Sequence, residues 1–247
     1  MTARIAVITP YHRETVAMLR QCHDSIRAQQ VAADHIMIAD GHPLAEVGRW
    51  PVLHMVLPRA HGDNGNTPRG LASLLARRNG YEFIAYCDAD NWFHPDHLAS
   101  LLALNAQSGR AVCTALRSFH ALSGAPLAVC DADEDALRHV DTSCFLIHRS
   151  AFALLDIWLT MPPVLSPICD RVFLAHLLHR GQQPISSQQR SVAFRCRYAA
   201  HYRAAGVEPP PDAKPDGFAD AVWTWLRSPQ GIAASVESMG FWPLAEA

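Results

Sequence analysis

The feature that most constrains this chain is the alternation of short apolar runs with helical patterns across residues 1–109. Arg4 to Thr9, His35 to Ala39, Val52 to Leu57 and Tyr81 to Cys87 have strand length and are rich in β-branched, aromatic and other apolar residues. Between the first two, Glu14 to Gln30 places Val16, Leu19, Cys22 and Ile26 at helical spacing. Pro68 to Asn79 opens on a proline and stops at Gly80, and Pro95 to Gln107 opens on a proline and stops at Gly109. Strands and helices in alternation predict a mostly parallel α/β sheet with helices on its faces. In such sheets ligands bind beyond the carboxyl ends of the strands.

The residues at those ends carry the chemistry. Tyr81 to Cys87 stops at Asp88-Ala89-Asp90, two carboxylates one residue apart. A buried strand interior would not accept them unpaired, and they repel unless a positive charge stands between them. A divalent cation bridging to phosphate oxygens would satisfy both, because hard cations take oxygen ligands. An acidic turn capping the next helix explains an isolated Asp-x-Asp equally well. The loop Gly62-Asp63-Asn64-Gly65-Asn66-Thr67 precedes Arg69, at the start of a helix, where a guanidinium would suit a phosphate. Its spacing is neither a Walker loop nor a dinucleotide fingerprint.

The second half is less regular. Ala111 to Arg117, Leu127 to Cys130, Val140 to His148 and Ser191 to Arg197 read as strands, and Asp131 to Asp135 as an acidic loop. Ser150 to Leu159 reads as a helix broken by Pro162-Pro163, and Asp170 to His179 as another. This divides the chain into one catalytic domain, 1–206, with halves 1–109 and 110–206, a proline-rich linker, 207–217, and a helical tail, 218–247. On that division, nucleotide binding would survive removal of everything after Val207.

At 247 residues, 49% hydrophobic and 18% charged, the chain has ample material for a core. A net charge of -2 gives no electrostatic argument for nucleic acid or an anionic membrane, and no nucleic-acid partner is expected. Seven cysteines, an odd number with no Cys-x-x-Cys, fit reduced thiols in a cytoplasmic protein. The first apolar run is too short for a signal segment, and no run has the length of a membrane span. Peripheral contact with the inner face of a membrane, and a homodimer, stay open for the tail aromatics Trp223, Trp225, Phe241 and Trp242.

Four pieces in order resemble the nucleotide-binding half of GT-A glycosyltransferases of the bacterial family 2 type: Ala6 to Tyr11, Ser25 to Gln29, Ile36 to Gly41, and Asp88 to Asn91. The resemblance covers residues 4–105, and more weakly 141–152 and 170–181. It implies a GT-A, Rossmann-like sheet with a smaller mixed acceptor-side region. By the same resemblance, Thr9, Pro10, Tyr11 and Asp40 hold the base and ribose, Arg13 belongs to the same donor-binding set, and Arg69 faces the nucleotide. Asp88 and Asp90, with His201 as a third ligand, would hold Mn2+ or Mg2+ against the diphosphate. Asp170 would be the general base, although the acidic pair common in relatives reads Cys169-Asp170 here. Asp141, Thr142, Ser143 and Trp92 would line the acceptor side.

The reaction so implied is metal-dependent transfer of a sugar from a nucleoside-diphosphate sugar, UDP-linked, to a carbohydrate, lipid-linked or protein acceptor, with inversion. A retaining transferase and a degenerate GT-A domain that binds without turnover are the alternatives. A nucleotidyltransferase would need a glycine-rich basic loop where Thr9 to Glu14 stands.

Overall fold

The structure, a computed structural model, describes residues 3–244. The first two residues of the expected domain and the last three of the expected tail lie outside the described residues. β1 (Ile5–Tyr11) is buried along its whole length, and β2 (Asp34–Asp40) at all but its first residue. Strands covered on both faces are why these runs are continuously apolar rather than alternating. With β3 (Leu53–Leu57) and β4 (Phe83–Tyr86) they form a parallel set in the order β3-β2-β1-β4. Chain order reverses between β1 and β4, so the crevice above these two strands is the place for a ligand.

Two helices connect strands of this set, and a third leads out of it. Thr15 caps α1 (Val16–Arg27), its hydroxyl accepting the Met18 N–H at 3.3 Å. α2 (Asn66–Arg78) starts after Gly65, which has φ 81°. A Cβ at Gly65 would lie 2.9 Å from Pro10 Cγ, so only glycine lets the loop pack on the end of β1. α3 (His97–Ser108) follows β5 (Trp92–Phe93) and closes on Gly109.

The sheet continues as β4-β8-β6-β9-β5, and this half is mixed. β6 (Val112–His120) runs antiparallel to β8 (Phe145–His148) and to the short β7 (Pro126–Leu127). β9 (Ile185–Arg195) runs parallel to β6 and antiparallel to β5.

Several expected elements differ. The acidic segment forms α4 (Ala132–Asp135), because Asp131 caps it by accepting from the N–H groups of Asp133 and Glu134. Only the end of 140–148 is a strand: Asp141 caps a 3-10 turn at Thr142–Cys144. The helix expected over 150–159 is mostly a 3-10 stretch, Arg149–Asp156, followed by α5 (Ile157–Thr160). α6 (Cys169–His179) is as expected, with Asp170 in its first turn.

Beyond α7 (Ala199–Ala204), segment 207–217 is largely exposed, yet Lys214 bridges to Tyr198. α8 (Asp220–Arg227) and α9 (Pro229–Met239) bury Val222, Leu226, Met239 and nearby Phe241 in the main core. No helix among the described residues is long and apolar enough to cross a membrane.

Candidate functional site

The carboxyl ends of β1, β2 and β4 open into a cavity of about 400 Å³. Of the residues singled out from sequence, Pro10, Tyr11, Asp40, Arg69, Asp88, Asp90, Asp141, Thr142 and Asp170 line it. Asp40 is occupied: its carboxylate accepts the His61 N–H at 3.0 Å, the His61 ring at 2.7 Å and the Gly62 N–H at 3.3 Å. Gly41, with φ 76°, allows that approach, since a Cβ there would meet Ala60 N at 2.3 Å. The Asp40 carboxylate therefore shapes the loop at one wall of the cavity. Tyr11 turns its hydroxyl to His54 Nε2, 2.8 Å away, and offers ring surface rather than a hydroxyl.

Asp88 and Asp90 sit on the turn after β4. The Asp88 N–H and the Asn91 side chain both donate to Ser143 Oγ, at 3.1 and 3.0 Å, which fixes the turn. Buried Arg69 donates to Asp88 Oδ1 at 2.8 Å, and Arg197 donates to Asp90 Oδ2 at 3.1 Å. Burial pushes the Asp88 carboxyl up; Arg69 pulls it back, Asp141 and Asp90 push it up again, and the balance is raised to about 7. Burial also outweighs Arg197 at Asp90 and raises it. The two carboxylates of the turn are thus desolvated by more than Arg69 and Arg197 offset.

That imbalance suits a hard cation. Among the described residues no three His, Cys, Asp or Glu side chains gather into a ready cage. Magnesium-type sites do not need one, because one or two carboxylates, phosphate oxygens and water complete the shell. Asp88 Oδ2 accepts no hydrogen bond among the described residues and Asp90 has one oxygen clear of Arg197. These two side chains offer oxygen ligands that fit a hard cation.

Asp170 stands where this cavity meets a second one of about 350 Å³, walled by Tyr198, His201, Phe218 and Trp223. Its Oδ2 is 2.7 Å from His139 Nε2, and Asp131 lies 3.5 Å from the other nitrogen of that ring. Burial would lower His139, but hydrogen bonds to Asp131 and Asp170 outweigh it and raise the ring to about 9. Burial would raise Asp170, but the His139 hydrogen bond and charge hold it below the usual carboxylate range. Arg117 ties Asp131, Glu134 and Asp141 into the same buried cluster, at 2.8, 3.1 and 3.5 Å.

Five expected site residues fall elsewhere. Thr9 is in the core, its hydroxyl bonded to His35 at 2.9 Å, because β1 turns that side chain inward. Arg13 is exposed and lines a shallow neighbouring hollow. Trp92 packs on His120 and Arg195 along β5, away from both cavities. Ser143 is fully buried and acts through the turn it holds. His201 faces the second cavity among Phe119, Phe194 and Tyr198, separate from the acidic turn, and burial lowers it to about 4.

Sequence reasoning missed His139, Arg197, Tyr198 and Lys214. For Arg197 and Tyr198 a signal existed, a basic and aromatic pair just past a strand of alternating pattern. For His139 and Lys214 there was none, since Asp170, which pairs with His139, and Tyr198, which lies under Lys214, belong to other elements.

No protein-family model and no curated protein matches the sequence. Solved structures do match in fold. Residues 1–349 of Staphylococcus aureus TarS align with a TM-score of 0.61 at 13% identity, covering 78% of this chain and 60% of that one. The same fragment in complex with UDP gives 0.61 at 14%. Its complex with UDP-GlcNAc gives 0.60 at 14%, covering 96% of this chain and 71% of that one. The chain spans about 60% of the first of these fragments. This chain therefore has the fold of TarS, a GT-A sheet whose parallel half ends in the Asp88–Asp90 turn.

Proposed function

We propose that this chain is a glycosyltransferase that moves a sugar from a nucleoside-diphosphate sugar, UDP-linked, to an acceptor hydroxyl. The observation that carries the reading is the meeting of two cavities at Asp170, one holding the acidic turn and the other walled by aromatic side chains. The first suits the donor, and TarS fragments of the same fold bind UDP and UDP-GlcNAc. The second suits the acceptor; Asp141 borders both, and Thr142 lines the first.

A divalent ion at Asp88 and Asp90 would neutralise charge on the leaving diphosphate. Arg69 holds the Asp88 carboxylate, Arg197 that of Asp90, and Ser143 the turn that carries both. Asp170 takes the proton of the acceptor hydroxyl as its oxygen bonds to the anomeric carbon. That oxygen enters on the face opposite the diphosphate, whose bond to the carbon breaks with the electron pair on the phosphate oxygen, so the centre inverts. His139 fixes the orientation of Asp170, at the cost of some basicity. That cost favours a second reading, a domain that binds donor without turnover.

The test is sugar-nucleotide turnover with Mn2+, read as released nucleoside diphosphate, for the wild-type chain and Asp170→Asn. Turnover should fall by a hundredfold or more, on the order expected for loss of a general base, while donor binding by calorimetry stays unchanged. Wild-type rates in the variant would remove Asp170 as base. Donor binding with no turnover in the wild-type chain would favour the second reading.

A further inference from the structure

Lys214 is the only lysine in the chain, and it lines the cavity that holds the acidic turn. The arginines around it are committed. Arg69 bonds Asp88 at 2.8 Å and Asn66 at 3.3 Å. Arg195 bonds the main-chain oxygens of Asp90 and Leu122 and the side chain of Gln21. Arg197 pairs with Asp90. Among the described residues the Lys214 ammonium has no ion pair and no hydrogen bond, and it lies over the rings of Tyr198 and Phe218, 5.1 and 5.4 Å from their centres.

The position is built. The Lys214 N–H donates to the Arg197 carbonyl at 2.6 Å, and the Lys214 carbonyl accepts the Ala199 N–H at 2.9 Å. These bonds strap residue 214 to the chain just past β9, so the ammonium reaches the cavity from a fixed backbone. The two aromatic rings limit where its stem goes. Cations brought this close to one another disfavour each other's charge, and burial and Arg197 do lower the Lys214 pKa. An anion of two phosphates would relieve both.

We propose that Lys214 is a phosphate-binding residue of the donor site, its ammonium taking an oxygen of a nucleoside diphosphate. The proposal rests on the donor reading above. It makes segment 207–217 part of the site rather than a spacer.

The test is calorimetric titration of uridine, UMP and UDP into the full chain, with Mn2+ and with a chelator, for wild type, Lys214→Gln and Lys214→Arg. Wild type should gain affinity from uridine to UDP. Lys214→Gln should weaken UDP about tenfold, as loss of one hydrogen bond to a charged group does, and leave uridine unchanged. Lys214→Arg should keep most of the gain. Equal UDP affinity in Lys214→Gln and wild type overturns the proposal while the donor reading stands. So does an equal loss for uridine and UDP, which marks a structural role. If wild type binds neither UMP nor UDP, the UDP-linked donor reading falls and the proposal with it.

Discussion

The hydrogen bond between His139 and Asp170 joins the proposed base to a buried charged cluster, and it makes the chain's stability depend on pH. The folded pKa of His139 is raised from 6.5 to about 9. A raised value means that its contribution is fully present below pH 6.5 and is lost as pH rises through 9. Asp170 is lowered from 3.8, so its contribution is present above that value and is lost as pH falls through the folded pKa. The groups facing the pair are Asp131 from the cap of α4, Arg117 from β6 and Asp141 from the 3-10 turn. The shift in His139 corresponds to about 3 kcal/mol. In urea unfolding, His139→Asn should lose about that much at pH 6 and little at pH 10. Buried His35 and His97 shift the other way, so the difference between variant and wild type, not either curve, carries the result. A difference independent of pH would show that the pair does not titrate as described. Gly65→Ala is a second residue-scale prediction: φ 81° and the contact with Pro10 should cost about 1–2 kcal/mol. Urea midpoints would measure it, and an unchanged midpoint would show that the loop yields. The acids of this site were legible in the sequence because each closes a strand or opens a helix. Their partners were not, because Arg197 meets Asp90 across 107 positions and His139 meets Asp170 across 31.

The legibility of the elements follows how they are buried. β1, β2 and β4 are covered on both faces, so their apolar runs stand out, and the helices between them carry caps and stops. In the second half the chain turns through 3-10 stretches and the two-residue strand β7, whose periodicity matches neither template. The acidic segment 131–135 reads as a loop, but capping by Asp131 and the buried pairing of Glu134 with Arg117 make it a helical turn. α8 shows the same limit at the far end: its apolar residues are visible, but the surface they cover is not. Leu226 is fully buried against the main core. Leu226→Ala should cost about 2–5 kcal/mol, the usual range for a buried leucine. A loss below about 0.5 kcal/mol, typical of surface positions, would mean that α8 does not dock as described.

On the scale of the molecule, one core runs from β1 to Phe241, through both halves of the sheet and the tail. The expectation that the chain after Val207 could be removed without effect on nucleotide binding follows from its proline-rich sequence, which marks a break in local structure. A break in local structure is not a break in packing. Val222, Leu226, Met239 and Phe241 belong to the same cluster as Ile5 and Phe173. At about 1.5–3 kcal/mol for each large apolar side chain buried, these four contribute about 6–12 kcal/mol. Whole domains are stable by about 5–15 kcal/mol, so the tail matters to the fold as much as to the site. The full chain should unfold in one transition, followed by circular dichroism and tryptophan fluorescence together. A chain ending at Val207 should lose that cooperative transition or melt far lower, and it should lose affinity for UDP along with it. Two resolved transitions in the full chain, or a truncated chain that melts at the full-length temperature, would make the tail a separate unit. If the truncated chain keeps its fold but loses UDP affinity, the loss belongs to Lys214 and its strap, and the titration of Lys214→Gln should reproduce its phosphate-dependent part.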